Sequence, residues 1–175
     1  MKKALVVIDV QREYSTPGRP FFLKGIDSSL ENIRKILKGA RQAEIPVIHV
    51  QHLQEGAIFS PNEEYSKFIE GFEPLPGESS ITKANFSCFS SDEFRAKMET
   101  LADYEIIVVG YNSVMCCLST IIDGYHRGFK ITYAKDGSLA KASSSYDEAA
   151  LHAVMCEVLG TFAKVQSTED ILKSW

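Results

Sequence analysis

Strand-like and helix-like segments alternate along the whole of this chain. Residues 4–10 (ALVVIDV) are a continuous apolar and mostly β-branched run, which is typical of a strand buried on both faces. A later segment has apolar side chains at helical spacing, at Leu30, Ile33, Ile36 and Leu37. Because strands and helices that alternate within one domain form a parallel sheet covered on both faces, the sequence predicts an α/β fold.

The pattern predicts six strands and a series of helices between them. The strands cover residues 4–10, 47–50, 80–83, 105–110, 129–134 and 162–165. The helices comprise one capped by Ser28 or Ser29, three over residues 92–101, 114–127 and 146–159, and a terminal turn capped by Thr168. Residues 52–77 have little periodicity and several Gly and Pro residues, so we interpret them as a long excursion with a short helix at 63–69. Residues 1–175 are predicted to form one domain.

The composition excludes several classes of partner. The chain has 175 residues, with 19 basic and 23 acidic side chains and a net charge of −4. The charges are dispersed, so no nucleic-acid-binding patch is visible. No apolar run approaches the ~20 residues that cross a bilayer. The first apolar run ends in Asp9 without a small-residue cleavage site, so we interpret it as a strand and expect a cytoplasmic protein.

The four cysteines are expected to be reduced. Adjacent cysteines such as Cys116 and Cys117 rarely bridge each other, and a chain of this size and aliphatic content needs no disulfides. These two thiols lie near the first turn of the helix that follows the fourth strand. Free N–H groups and the positive dipole end favour an anion there, including a thiolate or an oxyanion. The alternative is that both cysteines are core residues.

Three predicted strands end in residues that can do chemistry. In parallel α/β sheets, sites lie beyond the carboxyl ends of the strands. Asp9 closes the first strand, Lys83 closes the third, and the segment 110–117 follows the fourth. A buried carboxylate needs a partner, and Lys83 beside it would keep it ionised. From the residues alone, Asp9 could instead cap the next loop and Lys83 could be solvated.

Taken together, three motifs resemble the isochorismatase-like cysteine hydrolases, a family related to nicotinamidases and N-carbamoylsarcosine amidases. Val7-Ile8-Asp9-Val10-Gln11 resembles the Asp-x-Gln opening of that family, with Tyr14 at the aromatic position that follows. Lys83 and the Ser87-Cys88-Phe89 segment are similar to its Lys-x-x-x-Ser-x-Phe stretch. Residues 110–117 resemble Gly-x-x-Thr-x-x-Cys-Val. The resemblance covers nearly the whole chain.

The resemblance implies both a fold and a catalytic centre. The fold is a three-layer α/β/α sandwich with a six-stranded parallel sheet in the strand order 3-2-1-4-5-6. The implied triad is Asp9, Lys83 and Cys116. A cis peptide bond is implied between Tyr111 and Asn112, and the backbone N–H groups of Asn112 and Cys116 would form an oxyanion hole.

The implied activity is hydrolysis, without a cofactor, of a C–N bond in an amide or carbamoyl group. Asp9 accepts the thiol proton, while Lys83 and the helix N-terminus stabilise the thiolate. An acyl-thioester forms on Cys116, and water then hydrolyses it with Asp9 as base. Such a thiolate is expected to be alkylated well below pH 8. The resemblance places Cys117 at a core-facing position.

The substrate is expected to be a small molecule. Its predicted contacts are Gln11, Tyr14, Phe86 and Tyr111. Other candidates for the pocket are Phe21, Phe22, Phe89 and the 52–77 excursion, although the aromatic side chains are equally plausible as core. The resemblance also implies a homo-oligomer, either a dimer or a tetramer.

Three positions depart from the family pattern and keep other hypotheses open. Ser113 replaces the usual Thr, Val114 stands where many members have Asp or Asn, and Glu13 stands where Asp is common. These departures leave a non-catalytic binding or assembly role open. A nucleotide or flavin binder is disfavoured because the chain has no Gly-x-Gly-x-x-Gly or Walker sequence.

The positions of the histidines bear on the remaining alternative, which is a metal-assisted nicotinamidase. The chain lacks the Asp-x-His motif of those enzymes, so no metal is expected. His49 and His52 come at the end of the second strand and could line the site. His126 and His152 fall in helices and are expected at the surface or at an interface.

Overall fold

A computed structural model describes residues 1–175 and contains one sheet of six parallel strands. The strands are β1 (Lys3–Ile8), β2 (Val47–His52), β3 (Ser79–Lys83), β4 (Glu105–Tyr111), β5 (Lys130–Leu139) and β6 (Lys164–Gln166). Their order in the sheet is β3-β2-β1-β4-β5-β6, so the predicted strand order is confirmed. The order in which successive strands are added to the sheet reverses between β1 and β4. At such a switch point, parallel sheets open a crevice for ligands.

Six helices and three short helical turns connect the strands. The helices are α1 (Arg12–Ser15), α2 (Ile26–Gln42), α3 (Asp92–Glu99), α4 (Leu118–His126), α5 (Glu148–Leu159) and α6 (Thr168–Leu172). The 3₁₀ turns are Glu64–Ser66 and Cys88–Ser90, and Ser113–Cys117 is a π-helical turn that leads into α4. No helix is both long and apolar enough to span a bilayer.

Alternating side chains of the strands build two cores, one on each face of the sheet. Ala4, Val6 and Ile8 of β1 pack with α3 and α4, whereas Leu5 and Val7 pack with α2 and α6. This is the arrangement that a strand buried on both faces requires, and it explains the unbroken apolar run in the sequence. The three-layer sandwich expected from the resemblance is therefore present.

Three local predictions about helices are wrong. Helix α2 begins at Ile26, and Gly25 at its N-cap position makes no side-chain cap. A carboxylate distant in sequence lies there instead, because Glu148 accepts hydrogen bonds from the N–H groups of Lys24 (2.7 Å) and Gly25 (2.9 Å). The cap of the last helix is Ser167, one residue before the predicted Thr168. The helix expected over residues 63–69 is only the Glu64–Ser66 turn.

The long excursion after β2 is attached to the segment that follows β1. Gln11 and Phe68 form an isolated antiparallel bridge, and the N–H of Ile69 donates to the carbonyl of Val10 (3.0 Å). The excursion therefore lies across the carboxyl end of β1. This position makes it a wall of whatever site that end of the sheet carries.

Candidate active site

The carboxyl ends of three strands bring Asp9, Lys83 and Cys116 together. Ile8 lies opposite Gly110 in the sheet, so Asp9 and the turn after β4 are neighbours. The ammonium of Lys83 is 2.8 Å from Oδ2 of Asp9 and 3.3 Å from Sγ of Cys116. These residues are 0%, 3% and 4% exposed, respectively. Their chemistry therefore takes place out of bulk water, where electrostatic interactions are strong.

Asp9 owes its position to an unusual backbone conformation. Its φ is +50°, in the left-handed region that Asp tolerates better than most residues. The Asp9 carboxylate contacts Lys83, and Sγ of Cys116 lies within 4.8 Å of it. No other donor of the protein hydrogen-bonds to the Asp9 oxygens. The carboxylate is thus free to accept a proton from the thiol.

Lys83 has more hydrogen-bond acceptors than protons. Besides Asp9 and Cys116, Nδ1 of His52 lies 3.0 Å from Nζ and the carbonyl oxygen of Asn85 lies 3.1 Å away. An ammonium group carries three protons, so these four acceptors compete for it. Burial disfavours the charged amine, but the negative charge of Asp9 raises the pKa of Lys83 above its ordinary value. Lys83 is therefore a permanent cation in this site.

The ring of His52 is fixed as a neutral tautomer. Its Nδ1 accepts from Lys83, so the proton lies on Nε2, which is 2.9 Å from Oε1 of Gln54. Burial and the charge of Lys83 both lower the pKa of His52. Of the two histidines proposed at the end of β2, His52 contacts Lys83. His49 instead binds Glu78, at 2.9 Å.

The protonation state of Cys116 differs from the expectation of a preformed thiolate. Burial raises the pKa of the Cys116 thiol well above its ordinary value, and the charge of Asp9 raises it further. The cation of Lys83 opposes this shift but does not cancel it. Burial and the charge of Asp9 therefore favour a neutral thiol over a thiolate at this position.

The 111–117 turn, which joins β4 to α4, is organised around Asn112. The peptide bond between Tyr111 and Asn112 is cis. The carbonyl of Asn112 accepts from the N–H groups of Met115 and Cys117, both at 3.2 Å, and its Oδ1 accepts from Val114 at 3.2 Å. The N–H of Asn112 itself takes no part in these turn hydrogen bonds, so it is available to a ligand oxygen.

The four predicted substrate contacts are placed very differently. Gln11 donates to the carbonyls of His52 (2.9 Å) and Ser66 (2.6 Å) and accepts from the N–H of His52, so its amide is committed to the backbone. Tyr14 and Tyr111 are buried and lie against each other, with ring centroids 5.4 Å apart. Phe86 is 57% exposed.

An aromatic cluster covers the His52 side of the site, and one member was not predicted individually. Phe59 lies 5.1 Å from the His52 ring, 5.6 Å from Tyr14 and 5.5 Å from Phe21, measured between ring centroids. Its φ is +58°, which is unfavourable for a bulky residue. Nothing in the sequence marks this position, because aromatic residues and positive φ rarely coincide.

The other predicted positions of the site have structural contacts. Sγ of Cys117 lies 3.4 Å from the carbonyl oxygen of Gly110 and packs in the core. Cys88 is also buried there, while Cys156 is half-buried and all four thiols are free. Glu13 is fully buried and pairs with Arg19 at 2.8 Å. Glu13 therefore holds the loop after α1 and does not contact the triad.

The donor atoms of Asp9, His52 and Cys116 lie within 4.8 Å of one another, as metal ligands do. The ammonium of Lys83, however, lies 2.8–3.3 Å from an atom of each of the three. A divalent ion in this group would be placed next to a permanent positive charge, and His52 Nδ1 already accepts a hydrogen bond from Lys83. These residues do not fit a metal.

Comparisons with known proteins show what this chain is similar to. The family model described as the isochorismatase domain matches residues 3–170. The isochorismatase family protein YddQ of Bacillus subtilis is 30% identical over 181 aligned residues, which cover 99% of this chain and 100% of YddQ. The ureidoacrylate amidohydrolase RutB of Pseudomonas savastanoi is 27% identical over 158 residues, which cover 70% of this chain and 64% of RutB. The crystal structure of an isochorismatase from Pseudomonas putida superposes with a TM-score of 0.88 and 30% identity, covering 96% and 89% of the two chains.

Proposed function

This chain belongs to the isochorismatase family of hydrolases, and on that premise we propose that it is a cofactor-independent cysteine hydrolase. Its reaction is cleavage of a C–N bond in an amide or carbamoyl group of a small molecule. The observation that carries this proposal is the buried contact of Lys83 with both Asp9 and Cys116. The amidohydrolase activity in the name of RutB supports the choice of bond.

The proposed reaction begins with the thiol of Cys116. As Sγ attacks the carbonyl carbon, Asp9 takes the thiol proton and the carbonyl oxygen becomes an oxyanion. The N–H groups of Asn112 and Cys116 bind that oxyanion. In comparable sites each such donor contributes about 10²–10³ in rate. Lys83 balances the negative charge that Asp9 and the sulfur share.

The second half of the reaction reverses the proton movement. Asp9 gives its proton to the nitrogen of the leaving group, the C–N bond breaks, and an acyl-thioester remains on Cys116. Water then attacks the thioester with Asp9 as the base, and the acid product leaves with the thiol restored. Asp9 has two oxygens without a hydrogen bond other than the contact with Lys83, which suits this double role.

Neither alternative hypothesis gains an observation in its favour. A metal-assisted reaction would need Lys83 to leave the group of Asp9, His52 and Cys116. A non-catalytic role gives no reason for a buried thiol, carboxylate and ammonium to meet at the sheet switch point. The dimer or tetramer and the cytoplasmic location stay predictions.

Replacing each of the adjacent cysteines tests the proposal. Cys116→Ala is expected to abolish ammonia release from a panel of small primary amides and carbamoyl compounds that includes nicotinamide. Cys117→Ala is the matched control, because this thiol packs in the core, and it should keep activity within about tenfold of the native chain. Mass spectrometry of a quenched reaction should show the acyl group on Cys116. Equal activity of the two variants would contradict the assignment.

A further inference from the structure

The side chain of His152, which is not part of the triad, contacts the 111–117 turn. Its Nδ1 lies 3.0 Å from Oγ of Ser113, the residue that directly follows Asn112. Ser113 is completely buried, whereas His152 is half-buried on α5. The expectation that His152 lies at the surface or at an interface stays a prediction. No step of the proposed reaction uses either side chain.

The second ring nitrogen of His152 determines the direction of this hydrogen bond. Nε2 lies 2.6 Å from the carbonyl oxygen of Lys135, which can only accept, so Nε2 carries the proton. Nδ1 is then an acceptor, and the hydroxyl of Ser113 donates to it. Burial lowers the pKa of His152, which is consistent with a neutral ring. The Ser113 hydroxyl is thus held by a ring that is itself anchored to β5.

The surroundings of His152 are otherwise loosely packed. It lines a cavity of about 490 Å³ between α2 and α5, together with Lys135, Asp136, Cys156 and Glu157. Sγ of Cys156 lies 3.6 Å from Nε2 of His152. The carboxylate of Asp136 is occupied by Thr168, at 2.7 Å from its hydroxyl. None of these neighbours competes with His152 for Ser113.

The contact matters because of where Ser113 lies. Asn112 supplies one N–H group of the proposed oxyanion hole, and Cys116 supplies the other. Ser113 is the first residue of the π-helical turn that orients the N–H group of Cys116. We propose that His152 is a positioning residue that holds the 111–117 turn, through the hydroxyl of Ser113, in the geometry that stabilises an oxyanion. This inference rests on the proposed function.

Two near-isosteric variants separate the two hydrogen bonds of His152. The amide oxygen of Asn in His152→Asn takes about the place of Nδ1 and can still accept from Ser113. The amide nitrogen of Gln in His152→Gln takes about the place of Nε2 and keeps the bond to Lys135, but Ser113 loses the acceptor that Nδ1 of His152 provides. A merely structural role of His152 predicts no such order of effects.

The readout is acyl transfer to Cys116 from p-nitrophenyl acetate, which needs no natural substrate. In this step the Sγ–C bond forms, the bond from the acyl carbon to p-nitrophenolate breaks, and the thiol proton moves to Asp9. Alkylation of Cys116 by iodoacetamide is the parallel measurement, because it uses the sulfur but forms no oxyanion. We expect His152→Gln to slow acylation about tenfold or more and His152→Asn to slow it by no more than about threefold. Both effects are smaller than the loss of about 10²–10³ in rate that follows removal of a complete oxyanion donor. Alkylation should stay within about twofold for both.

Ser113→Ala makes the test specific to one hydrogen bond. It should slow acylation as His152→Gln does, and the double variant should be no slower than either single variant, since both remove the same contact. Additive losses, equal acylation by the Asn and Gln variants, or a parallel fall in alkylation would each overturn the proposal. Thermal unfolding verifies that the variants are folded.

Cys116→Ala distinguishes a failure of the positioning role from a failure of the proposed function. If this variant releases p-nitrophenolate as fast as the native chain does, Cys116 is not the acylated nucleophile and both proposals fall. If release depends on Cys116 but not on the residue at position 152, only the positioning role falls.

Discussion

At the scale of single residues, the site contains one ammonium group with more hydrogen-bond acceptors around it than it has protons. Lys83 faces Asp9, His52, Asn85 and Cys116, and the sulfur is the most distant of the four at 3.3 Å. A hydrogen bond to sulfur is longer than one to oxygen because sulfur is the larger atom, so all four acceptors lie within reach of the three protons. Burial and the charge of Asp9 favour the neutral thiol of Cys116, and they outweigh the opposing effect of the Lys83 cation.

Replacing Asp9 by Asn is expected to make Cys116 more reactive and the enzyme inactive. The charge of Asp9 is one of the causes that raise the pKa of Cys116, so its loss lowers that pKa and leaves Lys83 to pair with the thiolate. Each unit of lowered pKa raises the thiolate fraction about tenfold. Alkylation by iodoacetamide at pH 8, followed by peptide mass mapping of Cys116, should therefore be about tenfold faster, while hydrolysis falls by about 10²–10⁴ for want of a base.

Glu13→Gln is the matched control for that variant, because Glu13 is also a fully buried carboxylate but pairs with Arg19. It should leave the alkylation rate of Cys116 unchanged. Alkylation of Asp9→Asn that is no faster than that of the native chain would show that the charge of Asp9 does not control the pKa of Cys116.

At the scale of the elements, the strands were predictable and the turns were not. Continuous apolar runs identify β1 and β4, because a strand buried on both faces has no polar alternation to disguise it. The strand ends marked Asp9, Lys83 and the segment 110–117 for inspection, and only the resemblance singled out Cys116 and grouped the three residues. The contact of His152 with Ser113 could not be predicted, since it joins two helical segments 39 residues apart and leaves no local pattern.

The packing of β4 against β1 requires that Gly110 has no side chain. Its φ is +115°, and a Cβ there would overlap the carbonyl oxygen of Ile8 in the neighbouring strand. We expect Gly110→Ala to lower the free energy of unfolding by about 4 kcal/mol or to prevent folding, because strained backbone and a clash with a buried strand add together.

Gly18→Ala separates the two causes. Gly18 also has a positive φ, +85°, but a Cβ there meets open space, so only the conformational penalty of about 1–2 kcal/mol remains. Urea unfolding of both variants gives the comparison. Similar losses at the two positions would mean that the close approach of β1 and β4 at Gly110 is not what requires glycine.

At the scale of the whole molecule, a half-buried carboxylate holds the end of the long excursion against α2 and the sheet. Glu78 accepts from Arg41 of α2 at 2.7 and 3.0 Å, from His49 of β2 at 2.9 Å, and from the N–H of Leu75 at 2.8 Å. The sequence identified the excursion by its Gly and Pro residues. It could not show this anchor, because Arg41 lies 37 residues away and surface-like residue types gave no sign of burial.

This anchor predicts how the molecule responds to acid. Burial alone would raise the pKa of Glu78, but the hydrogen bonds from Arg41 and Leu75 lower it to about 2 from an ordinary value of 4.5. A carboxylate with a depressed pKa stabilises the fold above pH 4.5 and loses that contribution as the pH falls toward 2. We expect Glu78→Gln to lower the free energy of unfolding by on the order of 2–3 kcal/mol at pH 7 and by less than half of that at pH 3, measured by urea unfolding.

Glu55→Gln, at an exposed position of the same excursion, is the control and should change the free energy of unfolding little at either pH. If the loss caused by Glu78→Gln were the same at both pH values, charge on Glu78 would not be what anchors the excursion, and only its shape and neutral hydrogen bonds would remain as the cause.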